Sequence, residues 1–114
     1  MHEYSLVQAL VERVEAEARA RRATAVHRVV VSVGELSGVD PELFRTAYET
    51  FRDGTVCRDA PLELRRVEAV WRCPACQRAI QRGAALSCPA CARPAELAPG
   101  SGEILLETLE MEVP

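Results

Sequence analysis

Two copies of the tetrapeptide Cys-Pro-Ala-Cys, at residues 73–76 and 88–91, constrain the fold of this chain more than any other feature. The two-residue gap lets each pair turn tightly and point two thiolates at one ion, and the eleven residues between the pairs return the second pair to complete a tetrahedron. Soft sulfur ligands in a closed set of four favour Zn²⁺. We therefore predict a structural zinc ion, without an open coordination position for catalysis, bound by Cys73, Cys76, Cys88 and Cys91.

Each cysteine pair also has the spacing of a redox-active dithiol of the thioredoxin type. Zinc is the favoured interpretation, because two identical pairs lie in a segment too poor in apolar residues to form its own core. The binding energy of the metal, on the order of 10 kcal/mol or more, would fold that segment. The fifth cysteine, Cys57, is interpreted as a free thiol in a loop rather than as a ligand.

Length, composition and charge limit the remaining possibilities. At 114 residues and 48% hydrophobic, the chain supports one compact domain with a small metal-held appendage. The net charge is −3, and residues 70–97 carry four arginines and one glutamate, which offers little to nucleic acid. We find no apolar run near the ~18 residues of a membrane span and no secretory leader. We expect a cytoplasmic protein that binds neither nucleic acid nor membrane.

Hydrophobic periodicity predicts two helices and three strands. The first helix is expected from Glu3 to about Arg22, and the second from Pro41, with Asp40 as its cap, to a stop at Gly54. Segments rich in β-branched residues or with alternating hydrophobicity predict strands at 26–34, 62–69 and 103–113.

The predicted fold is of the α+β class. Two helices pack on a three-stranded, mostly antiparallel sheet, and a zinc-ribbon-like domain is inserted between the last two strands. The flexible sequence Pro-Gly-Ser-Gly at 99–102 marks the far end of the insertion. We place the α+β domain at residues 1–69 plus 101–114, and the inserted zinc-binding domain at residues 70–100.

The chain begins Met-His-Glu, directly ahead of the first predicted helix. Aminopeptidases generally spare a methionine that precedes a large residue, so Met1 should be retained. The amine of Met1, the backbone nitrogen of His2 and Nδ1 of its ring can then close adjacent chelate rings around one ion, which suits Ni²⁺ or Cu²⁺. The first N–H groups of a helix have no intrahelical acceptor and are free for the metal. Taken alone, the tripeptide is more often a solvated histidine followed by an ordinary first-turn acid, Glu3.

In combination, these features resemble the HypA/HybF family of nickel chaperones. The likeness rests on the initial MHEYSL, the helix that it opens, the sequence VGELSGVDPELF at 33–44, and the paired cysteine knuckles ahead of a final acidic strand. It covers essentially the whole chain.

The resemblance implies a protein that carries Ni²⁺ to a maturing [NiFe]-hydrogenase. Its implied partners are the GTPase HypB and the hydrogenase large subunit or its maturation complex. The resemblance assigns the family's nickel site to Met1, His2 and Glu3, and its zinc site to the four cysteines named above. The family also places Asp40 near nickel, although an aspartate ahead of a proline at a helix start is already explained as a cap.

Two other classes of function compete with this hypothesis. One is a zinc-ribbon adaptor for protein or nucleic acid, with an inert amino terminus and only Trp71 available for base stacking. The other is an enzyme. The closed zinc site and the lack of a nucleophile–His–acid set argue against an enzyme.

Overall fold

The computed structural model describes residues 2–80 and 86–114, and of His2 it describes the backbone alone. The elements follow one another as α1 His2–Ala20, β1 Ala25–Gly34, α2 Pro41–Phe51, β2 Leu62–Val67, β3 Trp71–Arg72, β4 Ala79–Ile80, β5 Glu96–Leu97 and β6 Ile104–Glu112. Both helices and the three long strands lie where the periodicity predicts them, with ends that differ by at most three residues. The three two-residue strands were not predicted.

The main sheet has the strand order β2-β1-β6. β1 pairs antiparallel with β6 and parallel with β2, because α2 forms a crossover between β1 and β2 that returns the chain in the same direction. The predicted α+β class, with two helices on a three-stranded sheet and a metal-binding insertion, is confirmed. The sheet is mixed rather than mostly antiparallel.

The hydrophobic core lies between this sheet and the two helices. On α1 the core residues recur every three or four positions, as an amphipathic helix requires. On β1 they alternate along the strand. The buried side chains of α1, β1 and α2 include Val7, Val11, Val14, Val29, Val31, Val33, Phe44 and Tyr48. The Tyr48 hydroxyl donates to the carbonyl of Ala60 at 2.7 Å, so this buried polar group is satisfied.

A second, small antiparallel sheet has the order β4-β3-β5. Its buried residues are Cys73, Ile80 and Cys88, with Trp71 and Ala95 packed against them. The radius of gyration is 17.6 Å, against about 13 Å for a compact domain of this length. The molecule is therefore elongated, which suits two bodies joined end to end. The predicted domain boundaries remain a prediction.

The junction between the two sheets lies at the end of β1. The N–H of Glu35 donates to the carbonyl of Val67 at 2.8 Å, and the Glu35 carboxylate accepts from the N–H of Ala69 at 2.8 Å. The Ser101 hydroxyl accepts from the N–H of Val70 at 3.2 Å. This bond ties the entrance of the small sheet to its exit, and the N–H of Leu36, which donates to the Ser101 carbonyl at 2.9 Å, ties the exit to the end of β1.

Within the part of the chain that the structure describes, neither helix combines the length and the hydrophobicity of a bilayer span.

Candidate metal centres

The four predicted zinc ligands converge beside the small sheet, with all four sulfur atoms within 4.8 Å of one another. Sγ of Cys91 lies 3.4 Å from that of Cys73 and 3.9 Å from that of Cys76, and the sulfurs of Cys76 and Cys88 are 4.0 Å apart. Four thiolates bound to zinc at about 2.3 Å in a tetrahedron would lie about 3.8 Å apart. The donor set and its spacing therefore fit a structural zinc ion.

Both cysteine pairs form the same turn. In the first, the N–H of Gln77 donates to the carbonyl of Cys73 at 2.9 Å, and Gln77 has φ of 59°. In the second, the N–H of Ala92 donates to the carbonyl of Cys88 at 2.7 Å, and Ala92 has φ of 62°. Left-handed backbone is uncommon outside glycine, so the structural repeat extends one residue beyond each tetrapeptide. The tight turn of each pair was predicted, but the left-handed residue that follows it was not.

Backbone N–H groups make the first cysteine of each pair the stronger acid. The N–H of Cys76 donates to Sγ of Cys73 at 3.4 Å and lowers the pKa of the Cys73 thiol to about 6. The N–H groups of Ala90 and Cys91 lower the pKa of Cys88 in the same way. The neighbouring Cys73 sulfur raises the pKa of Cys76 to about 12, because a second thiolate beside the first is disfavoured. A divalent cation bound between the two thiolates would offset the repulsion between their negative charges.

The predicted nickel residues are described only in part. Met1 lies outside the described residues, and so does the side chain of His2. Glu3, in the first turn of α1, accepts a hydrogen bond through Oε2 from the backbone N–H of Asp40 at 3.3 Å. The structure therefore brings together two predicted nickel residues that are 37 positions apart in the chain.

Asp40 is the cap of α2. Its Oδ1 accepts from the N–H groups of Glu42 and Leu43 at 2.9 and 3.3 Å, and Pro41 follows in the first turn. The capping role that the sequence predicts for Asp40 is thus confirmed, while ligation of nickel by the same carboxylate remains a prediction.

Two further residues have roles away from the metal centres. Nε2 of His27 lies 3.2 Å from a carboxylate oxygen of Glu112, at an exposed position. Cys57 is free, as predicted, but it is fully buried, and burial raises the pKa of its thiol. Cys57 therefore belongs to the hydrophobic core, and among the described residues only the four knuckle cysteines form a group able to hold a metal.

Comparison with known proteins decides the family. A sequence model for the family described as "Hydrogenase/urease nickel incorporation, metallochaperone, hypA" matches residues 1–111. The chain belongs to the HypA family. Its relatives include the hydrogenase maturation factor HypA of Shewanella oneidensis, 42% identical over 98% of this chain and 96% of that protein. The HypA of Aquifex aeolicus is 36% identical over 99% of both chains.

Solved structures agree with HypA membership. The solution structure of the Ni metallochaperone HypA from Helicobacter pylori superposes with a TM-score of 0.73, at 33% identity and 98% coverage of both chains. A second solution structure of HypA protein gives a TM-score of 0.79 at 36% identity, covering 97% of this chain and 96% of that one.

HypA membership makes this chain a nickel metallochaperone of hydrogenase maturation. Nickel is its cargo, and the four-cysteine cluster fits a resident structural zinc. The alternative of a zinc-ribbon adaptor without a nickel role is not favoured. HypA is a metallochaperone family rather than an enzyme family, and its role in nickel incorporation implies a maturation pathway.

Proposed function

We propose that this HypA-family chain binds Ni²⁺ at its amino terminus and passes it to the large subunit of a [NiFe]-hydrogenase or to its maturation complex. The proposed nickel ligands are the amine of Met1 and the backbone nitrogen and Nδ1 of His2, with Glu3 beside them. The proposed zinc ligands are Cys73, Cys76, Cys88 and Cys91.

The proposal extends to the cellular setting. The GTPase HypB of the same pathway is the partner, and the chain catalyses no reaction of its own. We place it in the cytoplasm, since cysteines held as thiolate ligands suit a reducing compartment.

The observation that carries the nickel assignment is the hydrogen bond from the Asp40 N–H to the Glu3 carboxylate. It ties the first turn of α1 to the start of α2, so the residues next to the proposed chelate have a defined position. A terminus that is already ordered loses less conformational entropy when it wraps an ion, and its affinity is higher for that reason. The same contact places the Glu3 carboxylate against the backbone of Asp40, at the start of α2.

The chelate suits transfer. Its nitrogens come from one end of the chain and leave part of the coordination sphere open, so an acceptor can replace the ligands one at a time. Selectivity over copper cannot come from affinity, because copper binds such sites more tightly than nickel. Geometry and contact with the partner must therefore supply it.

Nickel binding should weaken as the pH falls. The metal displaces protons from an amine of pKa ~8, an imidazole of pKa ~6.5 and a backbone amide, so acid competes with nickel for each nitrogen. Isothermal titration at pH 6 and pH 8 measures this, and equal affinities at the two values would contradict nitrogen chelation.

Native mass spectrometry with added nickel tests the ligand assignment. Four proteins are compared: the untagged chain, His2→Ala, the chain acetylated at the amine of Met1, and His27→Ala as a matched histidine control. We expect zinc in all four and nickel only in the untagged chain and His27→Ala. Full nickel uptake by the acetylated chain would overturn the proposal, because that chain has lost the amine of Met1 as a ligand.

A further inference from the structure

An aromatic contact joins the first turn of α1 to the far end of α2. Tyr4 follows directly after the proposed nickel-binding residues, and its ring packs edge-on against Phe51, with centroids 5.5 Å apart and planes at 82°. This is a favourable geometry for two aromatic rings. Phe51 is the last residue of α2 and packs against the hydrophobic core, so it is a fixed support.

The core does not require an aromatic ring at position 4. Helix α1 is anchored by Val7, Val11 and Val14, all inaccessible to solvent, whereas Tyr4 remains 41% exposed. Removal of the Tyr4 ring would therefore leave the main packing of α1 in place. The contact acts chiefly on the first turn of the helix.

Two consecutive residues thus hold that turn at two points. Glu3 accepts from the N–H of Asp40, the cap of α2, while Tyr4 packs on Phe51 at the opposite end of the same helix. Successive helical side chains project about 100° apart, so the two contacts restrain the turn in different directions. The first turn of a helix has unpaired N–H groups and frays most readily, so its position depends on such contacts.

We propose that Tyr4 and Phe51 form an aromatic clamp that positions the amino-terminal nickel chelate. The clamp rests on the function proposed above. Tyr4 is a positioning residue: it touches Phe51, and by ordering the first turn it lowers the entropy that nickel binding must remove.

Nickel affinity and dissociation rate test the clamp in the full-length, untagged, zinc-loaded protein. We expect Tyr4→Ala to bind nickel about twofold to tenfold more weakly, the equivalent of the energy of one aromatic pair, through faster dissociation. Tyr4→Phe keeps the ring and should restore wild-type affinity. Leu105→Ala removes a side chain of matched exposure, 40%, from β6 and should change nothing. With zinc bound and nickel absent, Tyr4→Ala and Leu105→Ala should have the same melting temperature.

A double-mutant cycle separates the contact from any general effect on the helix. Phe51→Leu keeps an apolar side chain in the core and should weaken nickel binding as Tyr4→Ala does, and the double variant should be no weaker than either single variant. Fully additive losses, or wild-type affinity in Tyr4→Ala while His2→Ala has lost nickel, would overturn the clamp alone. Nickel retained by His2→Ala would overturn the proposed function, and the clamp with it.

Discussion

The two sheets of this molecule are stabilised by different forces. The β2-β1-β6 sheet and its helices bury a continuous apolar core, in which Phe44, Tyr48 and the valines of α1 and β1 are almost inaccessible to solvent. Around the small β4-β3-β5 sheet, the described residues that are buried in its apolar cluster are one aliphatic side chain, Ile80, and two cysteines. The first region is held by removal of apolar surface from water, and the second by its metal ligands.

The two metal centres differ in a parallel way. The zinc site is a closed set of four thiolates that leaves no position for an incoming ligand. The proposed nickel site is a terminal set of nitrogens on the stable core, open to an acceptor. On this proposal the resident ion belongs to the region that we expect to need it for folding, and the cargo ion to the region that we expect to fold without metal.

Removal of zinc should have the largest effect and should be confined to one region. Extraction with a chelator, or Cys73→Ala, withdraws binding energy on the order of 10 kcal/mol, so residues 71–97 should unfold while the main sheet persists. Amide hydrogen exchange measures both regions at once, and Trp71 fluorescence follows the small sheet. Loss of protection in β1 at the same zinc concentration would show that the two regions fold as one.

Truncation in the core should produce the opposite pattern. Phe44 is 1% exposed, and Phe44→Ala leaves a cavity that should cost about 3–5 kcal/mol of the free energy of unfolding. Urea unfolding followed by helical circular dichroism measures the loss. Zinc content should stay at one ion per chain at urea concentrations below the transition, and parallel loss of zinc would contradict independent stabilisation.

The sequence was most informative where structure depends on neighbours in the chain. The 3.6-residue period of α1, the run of valines in β1 and the Asp40-Pro41 start of α2 each place an element to within two residues. The CxxC spacing likewise predicts the sulfur cluster, because a two-residue gap fixes the turn locally.

Features that depend on distant parts of the chain were not predicted. The parallel pairing of β1 with β2 follows from the packing of α2, and the two-residue strands are too short to show a period. The contacts of Glu3 with Asp40 and of Tyr4 with Phe51 join residues on different helices, so periodicity within either helix carries no trace of them.

The junction of the two regions should respond to a single added methyl group. A Cβ at Gly34 would lie 2.4 Å from the carbonyl oxygens of Gly100 and Ser101, so Gly34→Ala forces β1 and the end of the zinc segment apart. We expect a loss of about 1–3 kcal/mol in urea unfolding, as for other overpacked sites. Gly102→Ala is the control, since its Cβ would meet only Leu97 at 3.4 Å and should change stability by less than about 0.5 kcal/mol. Equal effects of the two variants would rule out a tight junction.

The smallest expected effect comes from substitution of Asp40. It distinguishes the capping of α2, which affects stability, from the ligation of nickel. Asp40→Ala removes the acceptor for the N–H groups of Glu42 and Leu43 and should cost about 1 kcal/mol of stability, whereas Asp40→Asn keeps a capping oxygen and should cost almost nothing.

Nickel titration of the same two variants then decides whether the Asp40 carboxylate is also a ligand. Because the Asp40 backbone holds Glu3, we expect Asp40→Ala to weaken nickel binding modestly by loosening the start of α2, and Asp40→Asn to retain it. Loss of nickel from Asp40→Asn at unchanged stability would instead identify the carboxylate as a ligand, and the cargo site would then extend from the terminus to the start of α2.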